Sequence, residues 1–288
     1  MMTFDRHAAT MHSINPSVST RDEGKRAMLK SGLPAPGSVA IVTGGTKGIG
    51  RATATALLAA GCRVFVFGRT APETPVAFEG REAGFIACDV RDPDQVARAV
   101  AEVGATCGRI DILVNNAGGA PAADAATASP RFSQAIIGLN LLGPIYLSQA
   151  VHPWMAEGGS IVNIASVAAL RPSPGTAAYG AAKAGLISLT QSLAQEWGPR
   201  IRVNAIVVGL VATEAADATY GGAEGRAEIA ASLPLGRMAT GEDIASAVLF
   251  LTSPQAAYIS GARLNVDGGG ERPLFLEIVE RQAAAKPA

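Results

Sequence analysis

Tyr179 and Lys183 are the two residues whose types and spacing are best suited to moving a proton. They stand four residues apart in the apolar, helix-like stretch 177–197, so both side chains are expected on one helix face. A tyrosine has an ordinary pKa of about 10, which suits neutral pH poorly, and a neighbouring ammonium favours the phenolate. Tyr179 is therefore predicted to pass a proton as a general acid or base.

Ser166 is a third candidate, because it directly follows the apolar run 161–165. A hydroxyl at the end of a buried strand can donate to a substrate oxygen on which charge develops. Taken singly, a Tyr-x-x-x-Lys pair is usually a helix surface pair, and a serine here could merely cap a loop. The functional interpretation depends on the residues occurring together.

A glycine-rich segment, residues 43–50, reads TGGTKGIG and lies between a β-branched run at 39–43 and a helical stretch at 50–60. This is the context of a dinucleotide-binding loop. Gly44 would permit the tight turn, Gly48 would let backbone approach a pyrophosphate, and Gly50 would let the helix pack on the strand. Cofactor contacts are expected from Gly44, Thr46, Lys47, Gly48, Ile49 and Gly50.

The end of the second strand, which reads Phe67-Gly68-Arg69, bears on the choice of nucleotide. An acidic residue there would accept from a ribose 2′-hydroxyl, whereas a cation accommodates a 2′-phosphate. Arg69 offers a planar fork, and Lys47 adds a second cation. NADP(H) is therefore predicted as the preferred cofactor over NAD(H). The alternative is that both are solvated surface residues.

The elements that must position these residues alternate along the chain. The predicted fold class is α/β, a doubly wound parallel sheet of Rossmann type with helices on both faces, in a single domain over residues 38–270. Residues 1–37 are predicted to form a flexible extension, and 271–288 a C-terminal extension that is either a disordered tail or a contact to a neighbouring subunit. Strands are expected at 39–43, 63–67, 110–115, 160–165, 202–208 and 263–266, and helices at 50–60, 93–103, 131–154, 177–197 and 241–251.

Composition narrows the class of protein. The 24 basic and 24 acidic residues balance, which disfavours nucleic acid or an anionic membrane as partner. The uncharged stretch 132–155 is interrupted by polar residues and prolines, and is predicted to be a buried helix rather than a membrane anchor. The three cysteines show no disulfide or metal-ligand spacing. No metal and a cytoplasmic location are expected.

Further motifs extend these observations to a family. The chain resembles the short-chain dehydrogenases/reductases, in their single-domain branch, over residues 38–270. The glycine spacing, the Asn115-Asn116-Ala117-Gly118 run and the Tyr-x-x-x-Lys pair carry that resemblance. It implies an active-site tetrad of Asn140, Ser166, Tyr179 and Lys183, in which Asn140 kinks a helix and holds a water in a proton relay. It implies further cofactor contacts at Asp89, Val90, Asn116, Ala117, Gly118, Gly209, Val211 and Thr213. Val208 departs from the proline usual at its position, which is expected to loosen the turn there while the backbone contacts of Gly209 to Val211 survive.

The predicted function is NADP(H)-dependent interconversion of a ketone and a secondary alcohol, with a small-molecule substrate. One alternative is a 3-oxoacyl-carrier-protein reductase; another, of a different class, is a non-catalytic nucleotide sensor or scaffold. Residues 213–237 are predicted to form a mobile lid over the substrate. Since the helices at 131–154 and 177–197 look apolar around their circumference, a homotetramer is expected.

Overall fold

The computed structural model describes residues 33–214 and 216–284, which form one seven-stranded parallel sheet with helices on both faces. The strand order is β5-β2-β1-β6-β7-β8-β9. The strands are β1 Val39–Thr43, β2 Arg63–Gly68, β5 Gly84–Ala87, β6 Ile110–Asn115, β7 Met155–Ser166, β8 Ile201–Val208 and β9 Arg263–Val266. A small antiparallel hairpin, β3 Ala77–Phe78 and β4 Arg81–Glu82, stands apart from this sheet. The predicted fold class is confirmed.

The helices cover the sheet in two layers. Their bounds are α1 Gly48–Ala59, α2 Pro93–Cys107, α3 Pro130–Ile137, α4 Gly143–Val151, α5 Ala177–Trp197, α6 Ala216–Tyr220, α7 Gly222–Ser232, α8 Gly241–Thr252 and α9 Leu274–Ala284. Helices α1 and α8 pack on one face of the central strands, and α2, α4 and α5 pack on the other. Both faces of the central strands are therefore buried, which explains why β1 is apolar along most of its length rather than alternating.

Crossovers run in opposite directions from the centre of the sheet, so that the strand order reverses between β1 and β6. Loops that follow adjacent strands diverge at such a point and leave a crevice at the carboxyl ends, where open α/β sheets bind ligands. The glycine loop follows β1, and Asn116 follows β6. The topology alone thus brings two of the sequence motifs to one edge.

The predicted helix over 131–154 is present as one helical run, Pro130–Trp154, but it is not α-helical throughout. A π-helical segment, Gly138–Leu142, separates α3 from α4, and a 3₁₀ turn, His152–Trp154, ends the run. Asn140 lies within the π segment, and its Nδ2 donates to the Ile136 carbonyl oxygen at 3.0 Å. Such π-bulges open a helix locally and recur at functional sites.

Two other regions differ from expectation. The region 213–237, predicted to be a lid, contains the two helices α6 and α7, while its mobility stays a prediction. Residues 274–284 form a helix rather than an irregular tail. The expected extension 1–37 falls mostly outside the described residues.

Within the described residues, Pro130–Trp154 is the one helical stretch long and apolar enough to pass a length-and-composition test for a membrane span. Core helices of soluble proteins pass the same test. In this stretch Leu147 and Val151 are buried against the sheet, and the π segment interrupts it. Its packing is that of a core element.

Candidate functional site

Three of the predicted catalytic side chains meet at the carboxyl end of β7. Ser166 ends that strand, and its hydroxyl lies close enough to the Tyr179 hydroxyl to lower the pKa of that tyrosine. Lys183, one turn further along α5, is fully buried, and its Nζ lies 5.7 Å from the centre of the Tyr179 ring. The beginning of α5 packs tightly here: a Cβ on Gly180 would lie 2.9 Å from the Ala168 carbonyl oxygen. This close approach fixes the helix, and with it Tyr179, against the strand end.

The Lys183 ammonium is anchored on strand β7. Its Nζ donates to the Ile164 carbonyl oxygen at 2.7 Å. Burial lowers the pKa of this ammonium from its usual 10.5 to about 8, because a low-dielectric environment disfavours the charged form. The lysine is therefore costly to bury, which is typical of functional rather than structural placement.

The pKa of Tyr179 differs from the expectation that a neighbouring ammonium would lower it. Burial raises this pKa, the hydrogen bond from Ser166 offsets part of the rise, and the nearby Tyr220 adds to it. Desolvation disfavours the phenolate more than the single hydrogen bond favours it. The tyrosine is thus held in its protonated form through neutral pH.

Asn140 is fully buried and braces the turn after β6. Its Oδ1 accepts from the Gly119 amide, and its Nδ2 donates to the Gly119 carbonyl oxygen, both at 3.0 Å. A Cβ on Gly118 would lie 2.8 Å from Asn140 Oδ1 and 3.1 Å from Lys183 Nζ. The fourth predicted tetrad member is therefore adjacent to the lysine, with Gly118 packed against both.

The turn after β6 is hydrogen-bonded to the beginning of the glycine loop. Asn116 Nδ2 donates to the Thr43 carbonyl oxygen at 2.8 Å, and Thr43 Oγ1 accepts from the amides of Asn116 and Ala117. Gly44 has a φ of +62°, and a Cβ on Gly50 would lie 2.2 Å from the Gly44 carbonyl oxygen. Both positions thus require glycine. Asn116 was predicted to contact the cofactor. In the structure its side chain hydrogen-bonds the backbone at the start of the glycine loop.

A contact that sequence reasoning missed lies on the open side of this loop. The Gly48 amide donates to Glu214 Oε1 at 3.2 Å. The amide belongs to the first turn of α1, where exposed N–H groups and the helix dipole attract anions. Glu214 directly follows Thr213, a predicted cofactor contact, so its position in the sequence was the available signal. A carboxylate of the chain itself therefore faces the predicted phosphate cradle.

The predicted nucleotide-selecting residues lie beyond the ends of β1 and β2, and Asp89 lies beyond the end of β5. Arg69 and Lys47 are both exposed. Asp89 follows β5, and its carboxylate is bound on two edges by the Arg91 guanidinium, which holds the pKa of this carboxyl below its usual range. Arg69 contributes to that depression, so it lies near Asp89. Val90 is buried and packs against Gly143, which leaves backbone as its means of contact with a cofactor.

The end of β8 is tightly built, contrary to the expectation that Val208 loosens it. Val208 is a buried strand residue that pairs with Ser166 on one side and Val266 on the other. The Gly209 amide donates to the Val266 carbonyl oxygen at 3.0 Å, and a Cβ on Gly209 would lie 2.7 Å from the Asp267 Cα. Val211 continues into a bridge with Ala239. The valine simply extends the strand.

A pocket of about 180 Å³ opens beside Ser166, at the carboxyl ends of β7, β8 and β9. Its walls include Val167, Leu170 and Leu210, with Leu233 from the region predicted as a lid. Glu271, which sequence reasoning did not single out, lies at the rim in an ion pair with Arg171 at 2.5 Å. One hundred residues separate the two partners, so no local pattern pointed to the contact.

The predicted site residues therefore converge on one edge of the sheet, where the glycine loop after β1 lies with Ser166 at the end of β7 and with Tyr179 and Lys183 in the first two turns of α5. A family model described as Enoyl-(Acyl carrier protein) reductase matches residues 44–271.

Individual relatives match over most of their length. D-threitol dehydrogenase of Mycolicibacterium smegmatis is 41% identical over 241 residues, covering 81% of this chain and 92% of that protein. A 3-oxoacyl-[acyl-carrier-protein] reductase of Synechocystis sp. is 39% identical over 242 residues, covering 80% and 96%. The solved structure of blue fluorescent protein from a metagenomic library, in complex with NADPH, matches with a TM-score of 0.75 at 35% identity, covering 81% and 98%. The chain belongs to the short-chain dehydrogenase/reductase family and is an oxidoreductase acting on CH–OH groups.

Proposed function

We propose that the protein reduces a small-molecule ketone, or oxidises the corresponding secondary alcohol, with NADP(H) as cofactor and Tyr179 as the proton-transferring residue. The observation that carries this proposal is the meeting of the Ser166 and Tyr179 hydroxyls beside a buried lysine. Reduction of a ketone requires one proton on the carbonyl oxygen, and a tyrosine kept protonated by burial is suited to give it.

Each tetrad residue has a distinct task in this proposal. The Tyr179 hydroxyl gives its proton to the substrate oxygen, and the Ser166 hydroxyl donates a hydrogen bond to the same oxygen as negative charge develops. Lys183 supplies positive charge next to the phenolate that remains. Asn140 holds the turn 116–119 in place through its two hydrogen bonds to Gly119, so that the lysine and the loop keep their relative positions.

The residues present fit a dinucleotide. The glycine loop leaves no space for side chains at Gly50, the first turn of α1 presents its amides, and Asn116 fixes the loop from below. When bound, the nicotinamide supplies or accepts the hydride. The residues proposed to hold the cofactor are Gly44, Thr46, Lys47, Gly48, Ile49 and Gly50 of the loop, Asp89 and Val90 after β5, Asn116, Ala117 and Gly118 after β6, Tyr179 and Lys183 of α5, and Gly209, Val211 and Thr213 after β8.

NADP(H) is proposed over NAD(H) because two exposed cations, Arg69 and Lys47, flank the position of the ribose. A guanidinium can bind a 2′-phosphate through two parallel hydrogen bonds. The nearest acidic residue named at this edge, Asp89, is already bound by Arg91, which reduces its capacity to repel the phosphate.

A small alcohol or ketone is proposed over an acyl thioester on a carrier protein. The relative with a 3-oxoacyl reductase name favours the second candidate, but an acidic carrier protein would require a basic surface at the pocket entrance. There the guanidinium of Arg171 is neutralised by Glu271. A non-catalytic sensor or scaffold is disfavoured, because the complete tetrad would have no use in it.

We also propose a cytoplasmic homotetramer without nucleic acid or membrane partners. The exposed face of α5 carries small or uncharged polar residues, among them Ala181, Ala184 and Ser188, and such a face allows close approach of another helix. Size-exclusion chromatography with light scattering tests this, and a monomer would contradict it.

The cofactor proposal is tested by fluorescence titration of NADPH and NADH at fixed salt, with the wild type and Arg69→Ala. We expect NADPH to bind more tightly and the substitution to erase that difference while NADH binding is unchanged. Equal affinities in the wild type would contradict the NADP(H) preference, and binding of neither nucleotide would contradict the enzyme proposal.

A further inference from the structure

The pocket beside Ser166 combines apolar walls with a charged rim. Val167, Leu170, Leu210 and Leu233 form much of the wall, and three charged residues, Arg171, Asp267 and Glu271, reach the lining. Val167 in its wall directly follows Ser166, so a molecule seated in the pocket lies next to the strand end that carries the catalytic serine. At about 180 Å³ it is smaller than the roughly 300–1,000 Å³ of sites for drug-sized ligands. It suits a compact substrate.

Asp267 and Glu271 differ in how far their carboxylates are engaged. Asp267 accepts from the Gly269 amide and from Asn265 Nδ2, both at 3.2 Å, so its oxygens close the turn after β9. Glu271 meets Arg171 through Oε1, and its side chain stays 38% exposed. A carboxylate has about four acceptor positions. Glu271 therefore retains acceptor capacity at the mouth of the pocket.

The Arg171–Glu271 ion pair contributes little to the stability of the fold. Both side chains are more than a third exposed, and exposed ion pairs contribute little to folding because solvent screens them. Arg171 is further oriented by donating to the Pro172 carbonyl oxygen at 3.1 Å. The pair instead sets the electrostatic character of the rim, with a donor fork and an acceptor side by side and no net charge.

Tyr220, from helix α6, connects this rim to the catalytic tyrosine. Glu271 raises the pKa of Tyr220, and Tyr220 in turn raises the pKa of Tyr179, so Tyr220 lies within electrostatic reach of both. Polar groups are therefore present both at the catalytic serine and tyrosine and at the rim. A substrate with several hydroxyls could be hydrogen-bonded along its length.

We propose, on the basis of the proposed function, that Glu271 and Arg171 are specificity-determining residues that recognise the hydroxyl groups of a small, neutral, polyhydroxylated substrate. Glu271 accepts from one or two hydroxyls remote from the reacting carbon, and Arg171 donates to the same part of the molecule while it holds Glu271 in place. The Glu271 carboxylate would repel an anionic substrate. A long acyl chain would have to pack against a charged rim, because the entrance is not an apolar channel. A neutral polyol matches both groups.

The test compares Glu271→Gln with the wild type in NADP⁺-dependent oxidation of four- to six-carbon polyols, such as erythritol and xylitol, and of 2-butanol. The substitution keeps shape and removes charge and one acceptor. We expect KM for the preferred polyol to rise at least tenfold, because hydrogen bonds to charged groups are the strong ones, with kcat changed much less. The KM for 2-butanol and the NADPH affinity should be unchanged. Glu277→Gln, an exposed carboxylate on α9, is the matched control and should change none of these values.

Oxidation of 2-butanol without oxidation of any polyol would overturn this inference and leave the proposed function standing, as would a polyol KM that Glu271→Gln does not change. If the wild type binds NADPH but oxidises no alcohol and reduces no ketone, the proposed function fails, and this inference fails with it.

Discussion

Replacing Lys183 with methionine should change how the stability of the protein depends on pH. The lysine is 3% exposed, and burial lowers its pKa from the usual 10.5 to about 8. Between these two values the unfolded chain binds a proton that the folded protein has lost. The free energy of unfolding of the wild type therefore rises with pH across this window. Below pH 8 both states are charged, and the folded protein carries the full cost of the buried ammonium.

The size of the effect follows from the two pKa values. A depression of about 2.5 units corresponds to about 3 kcal/mol at neutral pH, of which about 2 kcal/mol should be recovered between pH 7 and pH 9.5. Methionine has similar length and no charge. Its loss of the hydrogen bond to the Ile164 carbonyl oxygen costs about 1–3 kcal/mol, but that cost does not depend on pH. The pH dependence therefore isolates the charge.

Urea denaturation at a fixed protein concentration, at pH 7 and at pH 9.5, measures the effect. Relative to the wild type, Lys183→Met should lose about 2 kcal/mol of stability between the two pH values. Leu186→Met, at a fully buried and uncharged position on the same helix, is the control, and its difference from the wild type should not vary with pH. If Lys183→Met and the wild type show the same pH dependence, the lysine is not held at a lowered pKa, and the argument from burial is refuted.

Three further predictions concern the acid, the phosphate cradle and the glycine loop. Since the pKa of Tyr179 is raised, ketone reduction should be nearly constant from pH 6 to 7, below the pKa of about 8 at which Lys183 loses its charge, while alcohol oxidation rises up to tenfold per pH unit; an oxidation rate that does not change with pH would contradict it. Glu214→Gln should tighten NADPH binding about three- to tenfold at low salt, measured by titration, because it removes a negative charge facing the phosphates; unchanged affinity would show that the carboxylate does not compete. Gly50→Ala should abolish NADPH binding, since its Cβ would lie 2.2 Å from the Gly44 carbonyl oxygen, whereas Gly138→Ala, with no atom closer than 3.9 Å, should bind normally.

The parts of the fold that sequence reasoning predicted are those with strong local signals. The strand 39–43, the strand 110–115 and the helix 177–197 agree with the structure at both ends. Each is a long helical stretch or a short strand rich in Val, Ile and Leu, and turn residues or charges mark where it begins and ends. The convergence of the motifs followed from topology, because parallel strands bring their carboxyl ends to one edge.

The missed features depend on contacts between residues distant in sequence. Glu271 becomes part of the pocket only because the turn after β9 returns to the end of β7, and Glu214 meets the glycine loop across 166 positions. The family resemblance predicted a kink at Asn140, but not its form as a π segment, in which the Asn140 side chain bonds Gly119, 21 residues earlier, as well as Ile136. The raised pKa of Tyr179 reflects burial, which spacing along a helix does not report.

Tyr179→Phe tests whether Tyr179 transfers the proton. The measurement is the steady-state rate of ketone reduction beside the NADPH dissociation constant, for the wild type and this variant. We expect kcat to fall by about 10²–10⁴ while NADPH binding stays within about twofold, since the ring that packs in the site is kept. A variant that retains most of its kcat with nucleotide binding intact would contradict the claim.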